Sequence, residues 1–397
     1  MADHRHVALI VDAAKPYDRK IISGIARYVK EQSDWSLYVE EDPLQKLPDL
    51  RSWQGHGIIA NFDDRKVAEA VRGVKVPVVG VGGGSGWYDP KTRIPYFASH
   101  DEEIARLAAR HLIDRGFRHL AFYGYPGTRI NRWSEVRGNV FQQAAAEAGI
   151  PCSTYTGRHG TARQWSELQR GLMAWVQSLE KPVGLMACND VRARHVLEAC
   201  RTLGVRVPED VALIGVDNDE MICDLTDPPL SSIEQGARRM GYEAAALLDR
   251  LMNGETVETL RFVIEPEGVV TRRSTDTLAI EDPEVIAAVR FIRENACKRV
   301  QVDDVVRQVG VSHSTLKNRF RAVMGRTIHA EIEHVRLERA KQLIADTDMP
   351  LKQVALQTGF QYVQYLTRLF TNRVGQTPAK FRSQRVEGPK PSPVSIE

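Results

Sequence analysis

The chain has 397 residues, 43% of them hydrophobic and 26% charged, a balance that excludes a disordered or low-complexity protein and predicts two or three domains. No apolar run reaches the about 20 residues that a membrane-spanning helix needs. The net charge of +3 hides an asymmetry, because residues 283–385 carry 18 Lys and Arg against 9 Asp and Glu and leave residues 1–282 mildly acidic. A basic module on an acidic body implies that one part meets a polyanion and the other does not. The N-terminus lacks the apolar core and cleavage site of a signal peptide. Cys152, Cys188, Cys200, Cys223 and Cys297 are scattered, with no C-x-x-C pair, and reduced thiols in a cytoplasmic protein are expected.

From Val7 onward, short apolar runs alternate with amphipathic ones. Strands are predicted at Val7–Val11, Leu37–Glu40, Gly57–Ala60, Val76–Val81, His119–Tyr123, Val183–Ala187 and Val211–Val216. Helices are predicted at Asp18–Glu31, Asp101–Arg115, Val136–Ala148, Ser166–Leu179 and Val191–Leu203. Nearly continuous apolar strands alternating with helices argue for parallel sheets buried on both faces. The number of strands, and the helix midway between two sets of them, predict two doubly wound lobes with a cleft between them. Ligands in such sheets sit beyond the carboxyl ends of the strands.

After Val270 the strands stop. Residues 1–272 form the expected sensor, 273–283 a polar linker, 284–385 an all-helical domain, and 386–397 a Pro- and Ser-rich disordered tail. Within the helical part, Val302–Val309, the turn Gly310-Val311-Ser312 and a helix from Ser312 to Val323 have the form of a helix-turn-helix. The form recurs as Leu351–Gln357, Thr358-Gly359-Phe360 and Tyr362–Val374. The two turn glycines lie 49 residues apart, with a long helix near Ala330–Asp346 between them. Two such units on a rigid spacer suit successive major-groove faces of one duplex.

This segment resembles the AraC family of transcription activators over about 100 residues. The resemblance is carried by G-V-S-x-S-x-L-x-x-x-F from Gly310, P-L-x-x-V-A-x-x-x-G-F from Pro350, and Gly375-Gln376-Thr377-Pro378 before Phe381-Arg382. It implies base-facing residues at Ser314, Lys317 and Asn318 in the first unit and at Gln364, Thr367 and Arg368 in the second. Their chemistry fits, since Lys and Arg suit guanine O6/N7, Asn and Gln suit adenine N6/N7, and Thr meets a thymine methyl. Arg319 and Arg321 each suit a phosphate contact or a solvated helix face equally, and Arg321 is taken as the candidate phosphate contact. Leu316, Phe320, Leu366 and Phe370 fall at core spacing. The family's commoner polar pair is replaced here by Tyr362-Val363.

No enzyme motif stands out in the body. Asp12-Ala13-Ala14-Lys15-Pro16 follows the first strand with no glycine loop for a dinucleotide. Gly80–Gly86 is glycine-rich but lacks the P-loop Gly-Lys, and it reads as a flexible loop. His329 and His334 are spaced wrongly for a shared metal on one helix face. Neither a catalytic residue nor a metal nor a cofactor is therefore expected.

Ala187-Cys188-Asn189-Asp190, Gly204 through Asp219, Pro228–Ile233 and Gly241-Tyr242 resemble the effector domain of LacI-type repressors, which has the type I periplasmic sugar-binding fold. Arg137 falls on that family's ligand-binding arginine, although Val140 replaces its usual glycine. A neutral sugar is held by Asp, Asn and Arg making paired hydrogen bonds, with aromatic faces against its C–H patches. The candidates are Asp190, Asp217, Asn218, Arg137 and Trp133 from one lobe, and Tyr17, Asp18, Asp63 and Asp64 from the other. Asp63 and Asp64 equally suit a helix cap, Trp133 lobe core, and Asp190 a cap and ligand group at once.

The two modules together resemble bacterial xylose-operon activators, including Tyr17-Asp18-Arg19, Phe62-Asp63-Asp64, Arg132-Trp133 and Gln235–Arg238. That resemblance implies a small sugar effector, D-xylose, together with operator DNA, a homodimer and RNA polymerase as partners, and no membrane. The rivals are a sugar-processing enzyme with a DNA-binding tail and a ligand-free dimeric scaffold on DNA.

Overall fold

Apolar runs of four to six residues become the strands of two sheets, and the amphipathic stretches become the helices that cover them. The computed structural model describes residues 4–39, 47, 49–84, 86–127, 131–157, 165–276, 282–347 and 349–386. The chain divides between Thr277 and Leu278 into two compact units.

In the first unit, one lobe holds β1 (His6–Ile10), β2 (Ser36–Val39), β3 (Gly57–Asn61), β4 (Val78–Gly82), β5 (Tyr96–Ser99) and β11 (Arg261–Ile264), ordered β11-β5-β4-β3-β1-β2. Every ladder in it is parallel. Alternation decides which face each side chain joins. Val7, Leu9, Ile59 and Val79 pack under α1 (Pro16–Gln32) and α8 (Ala237–Met252), while Ala8, Ile10, Ile58 and Ala60 face α2 (Arg65–Ala70).

The second lobe holds β6 (Leu120–Tyr123), β7 (Cys152–Tyr155), β8 (Val183–Ala187), β9 (Val211–Val216), β10 (Ser231–Glu234) and β12 (Gly268–Val270), ordered β12-β10-β9-β8-β6-β7. Only β12 runs antiparallel to its neighbour. Its helices are α3 (Asp101–Ile113), α4 (Arg132–Glu147), α5 (Trp165–Ser178), α6 (Asp190–Leu203) and α7 (Glu220–Leu225). The chain passes between the lobes three times, after β5, after β10 and after β11.

The second unit contains α9 (Pro283–Asn295), α10 (Val302–Val309), α11 (His313–Met324), α12 (Ile328–Asp346), α13 (Leu351–Gln357), α14 (Val363–Val374) and α15 (Pro378–Val386). Each helix-turn-helix has its own core. Leu316 and Phe320 pack with Val289 and Ile332, and Leu366 and Phe370 pack with Leu337 and Ile344. The helix α12 contributes to both cores. Gly310 and Gly359 turn the chain at φ of 78° and 79°, which a glycine adopts without penalty. Ser312 caps α11 by accepting from the Thr315 amide at 3.2 Å.

Two lobes followed by an all-helical unit match the sequence expectation, but five strands were not foreseen: β5, β7, β10, β11 and β12. They are only three or four residues long; Ser, Thr, Arg or Glu breaks the apolar run in β5, β7, β10 and β11, and β12 is just Gly-Val-Val. The expected linker also begins too early. Arg273–Thr275 is a 3-10 turn packed into the second lobe, with Ser274 Oγ donating to the Leu213 carbonyl at 2.6 Å and Thr275 Oγ1 2.9 Å from His111 Nε2. Residues 277–281, Glu40, Ser85 and the expected tail beyond Val386 lie outside the described residues. All five cysteines are free thiols.

The helices α1 and α8 approach backbone to backbone because Gly24 and Gly241 face the junction. A Cβ at Gly241 would stand 2.0 Å from the Ile21 carbonyl oxygen, and one at Gly24 would stand 1.9 Å from that of Arg238. Gly241→Ala must therefore part the helices, and a loss of about 1–3 kcal/mol is expected in urea unfolding. An unchanged unfolding midpoint would show that the two backbones are not in contact.

Candidate functional site

The carboxyl ends of the strands of both sheets meet between the lobes. At the centre lies Arg137, 2% exposed, on the inner face of α4. Its Nε donates to Asp101 Oδ1 at 2.8 Å, Nη1 to the Cys188 carbonyl at 2.7 Å, and Nη2 to Gln235 Oε1 at 2.7 Å. Asp101 follows β5 and Gln235 follows β10, so two of these acceptors lie where the chain crosses between lobes. Trp133, one turn earlier, has its ring 4.8 Å from the guanidinium carbon of Arg137 and meets Tyr125 edge-on at 5.8 Å.

Three carboxylates lie within electrostatic reach of Arg137. Burial pushes Asp101 up to about 7 and Asp217 up to about 6, and it also raises Asp63, while the guanidinium pulls each of them down. Asp63 Oδ2 accepts from the Gly83 amide at 2.9 Å, whereas its Oδ1 is buried with no hydrogen-bond partner among the described residues. Asp217 accepts from Gln235 Nε2. It sits at φ 109°, a strained backbone for an aspartate. Tyr17 donates to the Gly82 carbonyl at 3.0 Å and lies 2.9 Å from Ser99 Oγ. The sequence candidates Arg137, Trp133, Asp63, Asp217 and Tyr17 thus gather at one junction.

The other four candidates hold the loops around it. Asp18 accepts from the Asp12 amide at 2.9 Å and from Asn61 Nδ2 at 2.8 Å, which binds the start of α1 to the end of β3. Burial raises its carboxyl to about 7. Asp64 caps α2 through the Lys66 amide at 2.7 Å. Asp190 is fully buried, and its oxygens accept from Ser232 Oγ at 2.6 Å and the Asp219 amide at 2.8 Å. Gly215 makes room for it, since a Cβ there would stand 2.1 Å from Asp190 Oδ1. Asn218 accepts from Arg272 Nη1 at 2.9 Å and donates to Glu234 at 3.3 Å.

Several residues of the junction escaped the sequence analysis. Asp101 and Gln235 matter because of where the chain crosses, and that required β5 and β10. Arg192 lies 4.0 Å over the Tyr125 ring and donates to the Tyr123 hydroxyl at 2.6 Å. Lys20 reaches from α1 in one lobe to the carbonyls of Asp217 and Asn218 in the other, at 2.7 and 3.0 Å, and to the Glu234 carboxylate. A lysine on a predicted helix carries no sequence signal for such a link. Among the described residues, no group of His, Cys, Asp or Glu is arranged to hold a metal ion.

In the second unit, Ser314, Lys317, Asn318 and Arg321 are exposed along α11, and Gln364 and Arg368 along α14. Thr367 turns its hydroxyl back to the Val363 carbonyl at 2.9 Å. Arg319, read from the sequence as either a phosphate contact or a solvated residue, instead bridges Asp282 and Glu284 at 2.6 and 2.8 Å at the start of α9. No helix among the described residues is long and apolar enough to cross a membrane.

If the junction holds the sugar that the sequence leads one to expect, Asp217→Ala weakens its binding by about 1–3 kcal/mol in a calorimetric titration, because a buried acceptor is lost. Unchanged heats and affinity would remove Asp217 from the site. Arg368→Ala is expected to cost ~1–3 kcal/mol on a cognate duplex and little on a scrambled one. Arg321→Ala is expected to weaken both duplexes and to reduce the salt slope by about one unit. Equal losses on both duplexes for Arg368→Ala would make it a backbone clamp.

Residues 6–102 match the family model of the XylR N-terminal domain, 109–275 that of a periplasmic binding protein-like domain, and 305–384 that of a helix-turn-helix domain. The xylose operon regulatory protein of Escherichia coli K12 is 37% identical over 389 residues, which cover 98% of this chain and 99% of that protein. Its counterpart in Haemophilus influenzae is 36% identical over 95% of this chain and 97% of its own length. The solved structure of the xylose-binding transcription activator xylR aligns with a TM-score of 0.64 at 36% identity, over 96% of this chain and 98% of that one. The lac repressor dimer bound to operator, 18% identical with a TM-score of 0.53 over 69% of this chain, shares the fold. With a sensor of two parallel-sheet lobes, a double helix-turn-helix unit and this identity along nearly its whole length, the chain belongs to the xylose operon regulatory protein family of transcription regulators.

Proposed function

We propose that this protein is a cytoplasmic, D-xylose-responsive activator of xylose catabolic genes, acting as a homodimer on operator DNA and through RNA polymerase. The observation that carries this reading is the convergence on Arg137 of Asp101 and Gln235 from two lobe-crossing segments, with Asp63 of the first lobe within electrostatic reach. A small polyol seated there touches both lobes at once, so its binding energy depends on how they are set. Asp63 and Asp217 offer acceptors for hydroxyls, the Arg137 guanidinium offers donors, and Trp133 offers an apolar face. Asp18, Asp64, Asp190 and Asn218 keep the loops in register around the sugar. The family relatives named for xylose support the choice of pentose.

The sugar acts through its differential affinity for the arrangement that binds DNA well. Ser314, Lys317 and Asn318 read one major-groove face, Gln364, Thr367 and Arg368 the next, and Arg321 holds phosphate.

Titration with D-xylose, L-arabinose and D-ribose tests the sensor, with saturable binding of D-xylose as the expected outcome. DNA affinity measured at fixed salt is expected to rise when D-xylose is added. A fall would make the switch one of repression, and the absence of heat with every pentose would favour a ligand-free scaffold.

A further inference from the structure

Arg368 does not stand alone on α14. Its guanidinium carbon lies 5.3 Å from the centre of the Tyr365 ring, one helical turn earlier. The Tyr365 hydroxyl in turn donates to Glu333 Oε1, on the helix that spans both helix-turn-helix cores. The ring also meets Phe360 at 6.1 Å, so one edge of it is anchored in the second core. Glu333 is itself part-buried, with His329 Nδ1 at 3.6 Å. An exposed arginine has several rotatable bonds and keeps most of its rotamers in water. One stacked on a fixed aromatic face has fewer of them to lose when it meets a base pair.

We propose that Tyr365 is a positioning residue for DNA reading. Glu333 holds the phenol, the ring holds the Arg368 guanidinium, and the discrimination delivered by α14 depends on a side chain that itself contacts no base. The proposal rests on Arg368 being base-facing. Gln364, on the same helix, has no such support among the bonds described, so the tether acts on Arg368 in particular.

The experiment uses the full-length protein and a duplex that it selects from a random pool, with a scrambled duplex as comparison. Tyr365→Leu removes the ring and the phenol but keeps apolar bulk against Phe360, and Tyr365→Phe keeps the ring and cuts the tether to Glu333. Tyr365→Leu is expected to weaken the selected duplex about three- to tenfold while leaving the scrambled one unchanged. Tyr365→Phe is expected to act in the same direction and less strongly. In an Arg368→Ala background, neither substitution is expected to change affinity further. Equal weakening of both duplexes by Tyr365→Phe, or full additivity with Arg368→Ala, would overturn the positioning role. Arg368→Ala alone separates the two ideas, because if it fails to discriminate between duplexes, the base-facing reading falls and the proposal falls with it. Helical circular dichroism and the unfolding midpoint identify a Tyr365→Leu protein that has lost its fold, and Tyr365→Phe then decides.

Discussion

A guanidinium held out of water needs acceptors for its N–H groups, and Arg137 draws its acceptors from separate stretches of chain. Asp101 begins a helix after one lobe crossing, Gln235 lies in the second crossing, and the Cys188 carbonyl ends a strand. Removing any one of them leaves a buried cation under-solvated, which costs more than the lost bond. The arrangement of the lobes and the polarity of the junction are therefore set by the same residue. The raised carboxyls of Asp101 and Asp217 follow from this crowding, since burial disfavours their charge and Arg137 offsets part of that cost.

Much of this was legible in the sequence, and the part that was not has a physical reason. Central strands such as Val211–Val216 show themselves because both faces are buried and every residue is apolar. Edge strands such as β7 and β12 bury little, and β7 carries Ser and Thr while β12 is only three residues long, so their signal is close to that of a loop. Asp217 and Asp63 were legible as strand-end carboxylates, and Arg137 through the resemblance to LacI-type effector domains. Asp64 and Asp190 have the same sequence context, but Asp64 caps α2 and both oxygens of Asp190 are taken by Ser232 and the Asp219 amide, whereas Asp63 keeps one oxygen without a partner among the described residues. Lys20 and Gln235 depend on contacts between distant segments, Lys20 with Asp217 at 197 residues' separation and Gln235 with Arg137 at 98, which no local pattern encodes.

In the helical unit, sequence periodicity located the cores and exposed faces correctly but said nothing about charge pairing. Arg319 and Arg321 are both arginines, two residues apart. Arg319 is turned toward Asp282 and Glu284 beside the start of α9, and Arg321 is exposed. The long helix α12 joins two small cores that each lack the size to be very stable alone. It also carries Glu333, so the part that fixes the spacing of the two recognition helices reaches the ring beneath Arg368.

The interleaving of the lobes has a consequence for synthesis. The first lobe lacks its edge strand β11 until Ile264 has been made, and the face formed by Val7, Leu9 and Val79 stays partly uncovered until α8 is complete. The second lobe waits in the same way for β12. A chain emerging from the ribosome thus carries two unfinished sheets until its sensor is almost entirely translated, and both close within a short final stretch. The lobes are one folding unit in time as well as in space, and neither is expected to survive as an excised fragment cut at a lobe boundary.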